Sequence, residues 1–225
     1  MRLTQATRAA LEMDMSLSEH WNRIPQVIRD AIEFVEKIGE KYLWVDALCI
    51  VQDSESRHVE IGRMNEIYQK AVCTLVALDA KDASGSLYGF RWNSRLVTRF
   101  ARYNDLLIAK KRPELAISFA TSTYERRAWT FQERFLSTRC LYFTREQLYF
   151  HCQSELWSED RYEHFEQHAD LFGSYPSLKW PSQSLLSRDR ADQLRAYGPL
   201  VTHYTRRKLS FQSDRLDAFS GIANS

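Results

Sequence analysis

Within the stretch Arg127-Ala128-Trp129-Thr130-Phe131-Gln132-Glu133-Arg134, one acid sits close to an indole and two guanidinium groups. Residues four apart share a helix face, so a helix here stacks Trp129 beside Glu133. The other helical neighbours of Glu133 are Thr130, Leu136 and Ser137, none of them cationic. An intrahelical salt bridge is therefore unavailable to this carboxylate. A carboxylate without a local counter-charge is a candidate working group, able to stabilise positive charge that develops on a substrate. The competing reading makes Trp129 core, pairs Glu133 with an arginine from another element, and gives Arg127 a capping role.

Other chemically capable residues gather in Tyr42-Leu43-Trp44-Val45-Asp46-Ala47-Leu48-Cys49-Ile50-Val51-Gln52-Asp53. Asp46 interrupts an apolar run, where an unpaired carboxylate is costly. It is expected to be paired, or to face a cleft at a strand end. Cys49 is either a nucleophile or a buried, inert thiol. Gln52 and Asp53 either cap the next turn or line a substrate cleft with Cys49. His164 and His168 are four apart but do not form H-E-x-x-H, and no third ligand accompanies them, so no metal site is expected. Arg206-Arg207-Lys208 reads as a solvated helix end.

The 225 residues suffice for one sizeable core, and a single domain over 1–225 is expected. Apolar residues at 44% and charged ones at 27% are ordinary globular values. A net charge of +2 is too small to imply nucleic acid or an anionic membrane. Apolar runs fall short of the ~18 residues that span a bilayer. The four cysteines form no C-x-x-C pair; three lie in apolar runs, which favours buried thiols and a reducing, cytoplasmic setting.

The positioning elements follow from periodicity. Ile28, Ala31, Ile32 and Val35 write a helix after Pro25, with Asp30 on its polar face and Gly39 as its stop. Tyr42–Val51 reads as a strand covered on both faces. Met64, Ile67, Tyr68 and Ala71 write a second helix, and Val72–Leu78 a second strand. This alternation argues for a parallel sheet with flanking helices, whose ligands bind beyond the strands' carboxyl ends. Residues 80–95 read as a loop. Leu106–Ala109 and Leu115–Phe119 are short strand candidates. Arg139–Phe143 and Gln147–Cys152 form a hairpin, 154–188 an irregular excursion, and Asp189–Tyr204 a last helix.

Several of these phrases, in this order, resemble the fungal heterokaryon incompatibility (HET) domain family. They are Ile24–Ile32, Tyr42–Asp53, Met64–Ala71 and Arg127–Arg134, with a closing phrase at Tyr204–Leu209, Ser213–Leu216 and Ser220–Ala223. The resemblance covers about residues 24–152 plus the tail. It implies an intracellular fungal protein of self/non-self recognition that triggers programmed cell death, an innate-immunity role. It also implies a distant likeness to TIR domains, hence a flavodoxin-like parallel sheet, here with an added hairpin. Many TIR domains hydrolyse NAD with a glutamate that follows a tryptophan by four positions, as Glu133 follows Trp129. On that reading NAD is substrate rather than bound cofactor. Glu133 is catalytic, while Asp46, Arg127, Trp129 and Gln132 hold the dinucleotide. A non-catalytic module working by self-association or through a partner protein is the alternative, as is an inactive remnant. The family's usual opening strand, Tyr-x-x-Leu-Ser-Tyr-x-Trp-Gly, has no counterpart before Pro25, so the chain is expected to start just after it and to continue past Ser225.

Overall fold

The computed structural model describes residues 1–96, 98, 100–152, 155–160 and 190–223. In chain order the helices are α1 (Gln5–Leu11), α2 (Ser16–Glu19), α3 (Gln26–Lys37), α4 (Asp46–Cys49), α5 (Arg57–Gly62), α6 (Met64–Lys70), α7 (Leu115–Thr121), α8 (Trp129–Leu136), α9 (Arg190–Thr205) and α10 (Asp217–Ala223). The strands are β1 (Thr74–Val76), β2 (Phe100–Tyr103), β3 (Leu106–Ala109), β4 (Arg139–Phe143), β5 (Leu148–Cys152) and β6 (Leu156–Ser158).

The architecture is α/β. A four-stranded sheet runs β1-β4-β5-β6, and β2 with β3 forms a separate hairpin. The large sheet is mixed. β1 lies parallel to β4, with Leu75 opposite Leu141, while β4–β5 and β5–β6 are antiparallel. Alternation along the strands sorts side chains to two faces. Val76, Leu78, Cys140, Tyr142 and Tyr149 meet Leu115, Ala116 and Phe119 of α7 on one face. Leu75, Leu141, Phe143 and Leu148 meet Val27, Ala31 and Phe34 of α3 on the other. Helices thus flank both faces.

Helix α3 forms as its spacing predicts, and its end is built by Gly39. That residue adopts φ +81°, and the Gly39 and Glu40 N–H groups donate to the Glu36 and Val35 carbonyls, both at 3.0 Å. This is the glycine-dependent closure that satisfies a helix's last carbonyls. Asp30, expected on the polar face, is fully buried. Its carboxylate accepts from the Leu87 N–H (3.0 Å), from Gln26 Nε2 (2.6 Å) and from Arg91. These bonds pin the 80–95 loop against α3.

Two strand expectations are corrected. Residues 41–45 pair with no described strand and Asp46–Cys49 is a helical turn. Its apolar side chains serve separate clusters instead: Leu43 joins the α3 side, while Trp44 and Ile50 pack with Ile61 and Met64. Its backbone is held by the N-terminal segment, through Leu3 N–H to Ala47 O (2.8 Å) and Gln52 N–H to Leu3 O (2.9 Å). Leu115–Phe119 is helical. Leu115, Ala116 and Phe119 share a helix face, which a five-residue apolar run cannot distinguish from a strand.

Replacing Asp30 by Ala should cost about 2–3 kcal/mol of stability, because the buried Leu87 N–H loses its acceptor. Urea unfolding of the variant against the parent measures this, and a loss under ~0.5 kcal/mol would deny the pinning role.

Candidate functional site

Helix α8 is packed against α6 and α10 through Phe131, Phe135, Leu136, Phe219 and Ile222. It begins at Trp129, two residues later than the motif's start. Arg127 precedes it in extended conformation, bridged in parallel to Lys208. The backbone of the closing phrase fixes this entry: Ala128 N–H donates to Lys208 O (2.9 Å), and Lys208 N–H to Arg126 O (2.6 Å).

Glu133 lies on the same face of α8 as Trp129 and is half-buried. Among the described residues its carboxylate makes no hydrogen bond and no ion pair. Burial raises its pKa to about 7; Arg127 and Arg207 pull it down, and the charge of Asp46 pushes it up. Burial outweighs the two cations because neither touches it. Glu125 draws off the buried guanidinium groups of Arg207 and Arg134, while Arg127 is exposed. Arg207, with its side chain 3% exposed, pairs with Glu125 and donates to Arg127 O at 3.1 Å. Arg134, also buried, reaches Glu125 at 3.7 Å and lies over the Phe119 ring. The expectation that Arg207 sits on a solvated helix end is therefore corrected: it is an interior cation.

The other expected residues divide. Asp46 is exposed at the first turn of α4, where Oδ1 accepts the Ala47 N–H (2.7 Å), and its charge still reaches Glu133. Arg127 is exposed, and its guanidinium bonds to no described residue. Trp129 is half-buried between the cluster of Ile50, Ile61 and Met64 and that of Phe131 and Phe135. Gln132, expected beside the dinucleotide, is instead buried, and its Oε1 accepts the Gly221 N–H at 3.2 Å. A Cβ on Gly221 would stand 3.0 Å from the Gln132 and Asn65 side chains, so any larger residue would have to push them aside.

Cys49 is exposed, not buried, because Asp46–Cys49 is a helical turn and not part of a sheet-buried strand; its Sγ accepts from Val45 N–H at 3.4 Å. Gln52 Nε2 donates to the Asp46 and Ile50 carbonyls, both at 3.0 Å, closing the α4 turn. Asp53 caps a helix, though not the next one: it accepts the Gln5 N–H at the start of α1 (2.8 Å). His164 and His168 lie outside the described residues.

Sequence reasoning missed two groups at Glu133. Tyr68, assigned to the α6 core, and Tyr124 have their pKa values raised by burial and next by the Glu133 charge. Tyr68 also packs edge-on against Trp44, ring centres 5.7 Å apart. Its place at helical spacing in α6 gave the core role, but nothing local pointed it at an acid sixty-five positions away. Glu133 thus shares its helix face with Trp129, its charge acts on Tyr68 and Tyr124, and the charges of Asp46 and Arg127 act on it.

The family model described as heterokaryon incompatibility protein (HET) matches residues 3–133, more than half of the chain. The chain belongs to the HET family. The matched HET region starts before residue 24, where the resemblance was first legible, and ends on Glu133 itself. No curated protein and no solved structure matches the chain. In the described part of this HET protein, no helix is long and apolar enough to cross a membrane.

The raised pKa has a consequence for stability. The folded form keeps the Glu133 proton up to about pH 7, whereas the unfolded chain releases it near 4.5. Between those values the folded state binds more protons, so this group's contribution falls as pH rises through the window. Glu133→Gln removes the cost of charging. It should stabilise the protein at pH 8 by up to ~3 kcal/mol and change little at pH 4. Thermal or urea unfolding at both pH values checks this, and equal effects at both would contradict it.

Proposed function

We propose that this HET protein acts in the cytoplasm in fungal self/non-self recognition, and that it promotes cell death by hydrolysing NAD at Glu133. The observation that carries the reading is a half-buried carboxylate with no partner among the described residues, its pKa raised to about 7. Cleavage of the nicotinamide–ribose bond builds positive charge on the ribose ring, as in glycoside hydrolysis. An ionised Glu133 stabilises that charge, then takes a proton from the water that attacks the anomeric carbon. Nicotinamide leaves as a neutral base and needs no acid. Water supplies the new hydroxyl of ADP-ribose, and one proton is released overall.

The neighbours support this chemistry. Trp129 offers an aromatic face to a cationic nicotinamide ring. The guanidinium of Arg127, which bonds to no described residue, suits a phosphate, which it can grip with two donors. Asp46, exposed and with its charge reaching Glu133, suits ribose hydroxyls. A base poised near the working pH is the most effective one.

Purified protein incubated with NAD should release nicotinamide, with a rate that climbs with pH through about 7. Glu133→Gln should lower the rate at least ~100-fold with the fold intact by circular dichroism. Arg127→Ala should raise KM more than it lowers kcat. Turnover persisting in Glu133→Gln would remove the carboxylate from the mechanism. Absence of turnover in the folded parent would leave a non-catalytic signalling module.

A further inference from the structure

The β2–β3 hairpin is exposed along its whole length, although its residues are largely apolar. Tyr103, Leu106, Leu107 and Ile108 are between 57% and 68% exposed. A two-stranded hairpin alone is at best marginally stable in water, and further strands are what stabilise it. Tyr103 and Leu106 close a two-residue turn, with Asn104 at φ +52°, so this pair exchanges hydrogen bonds across the hairpin. Alternation then turns the N–H and C=O of Leu107 and Ala109 to the free edge of β3. There they meet no described residue. The edge carries none of the usual protections, since no proline, bulge or charge interrupts Leu106-Leu107-Ile108-Ala109.

We infer that β3 pairs antiparallel with β3 of a second copy of this chain, joining two hairpins into one four-stranded sheet. Charge selects this occupant and this register. A two-fold axis normal to the sheet must run between identical residues, because opposed side chains point to the same face. Centred on Ile108, the pairing sets Leu107 opposite Ala109 of the second copy. Carried past the strand's ends, it sets Leu106 opposite Lys110, and brings Asp105 of the turn to Lys111 of the second copy, at both ends. The apolar centre is thereby closed by two unlike-charge pairs. Lys111 leaves or shares its exposed contact with Glu114, 2.9 Å away within its own chain. The β2 edge lacks this self-complementarity, because Arg102 faces outward there and would oppose itself or Phe100. Neither arrangement depends on the Glu133 reading.

Sedimentation velocity on the full chain, from low to high micromolar, should show a monomer–dimer equilibrium. Asp105→Lys alone, or Lys111→Asp alone, opposes like charges twice per dimer and should weaken association about tenfold. The double swap should restore it. Ile108→Lys, at the axis, should leave a folded monomer by circular dichroism. The inference is overturned if the parent stays monomeric throughout, if it dimerises with single swaps as tightly as without them, or if the double swap fails to rescue.

Discussion

Removing a carboxylate from water without giving it a partner costs free energy, and the surroundings of Glu133 maintain that cost. Three arginines, Arg127, Arg134 and Arg207, lie near α8 in the folded chain, and any of them in contact would hold the acid ionised. Arg134 and Arg207 are both drawn to Glu125. Arg127 is kept at arm's length by its extended backbone, bridged to Lys208. One acid thus collects the buried cations so that the other is left without one. Two buried guanidinium groups around a single carboxylate are hard to justify as stability alone. Here they also build the entry to α8, because Arg207 donates to the Arg127 carbonyl.

The rest of the fold keeps that geometry in place. α8 is clamped by α10 through the Gln132–Gly221 contact, where a Cβ would crowd the Gln132 and Asn65 side chains. Trp129 and Tyr68 close the space beside the acid using the α5–α6 cluster. The sheet, sandwiched by α3 and α7, fixes the direction in which the chain leaves α8 into β4. The family match ends on Glu133 and contains Glu125, yet Arg207, one of the cations that Glu125 draws off, lies well beyond it.

What was legible in the sequence was what is decided locally. Helix α3 and its Gly39 stop, α8, and the β4–β5 hairpin follow from spacing and turn residues. The candidate acid was legible too, since the lack of a cation at helical spacing is a local fact. Residues decided by distant contacts were not. Asp30 looked like surface until Leu87 and Arg91 folded over it. Arg207 looked like a solvated end until Glu125 buried it. Tyr42–Val51 had the composition of a buried strand, but the N-terminal segment, not a sheet, bonds to its backbone. Leu115–Phe119 was too short for its period to speak.

The central claim is that Glu133 is held desolvated and unpaired, and its own titration tests this most directly. Carbon-detected NMR of the side-chain carboxyl, assigned by loss of the signal in Glu133→Gln, should give an apparent pKa near 7. A midpoint at or below the ordinary value of 4.5 would mean that a cation or solvent reaches the acid after all.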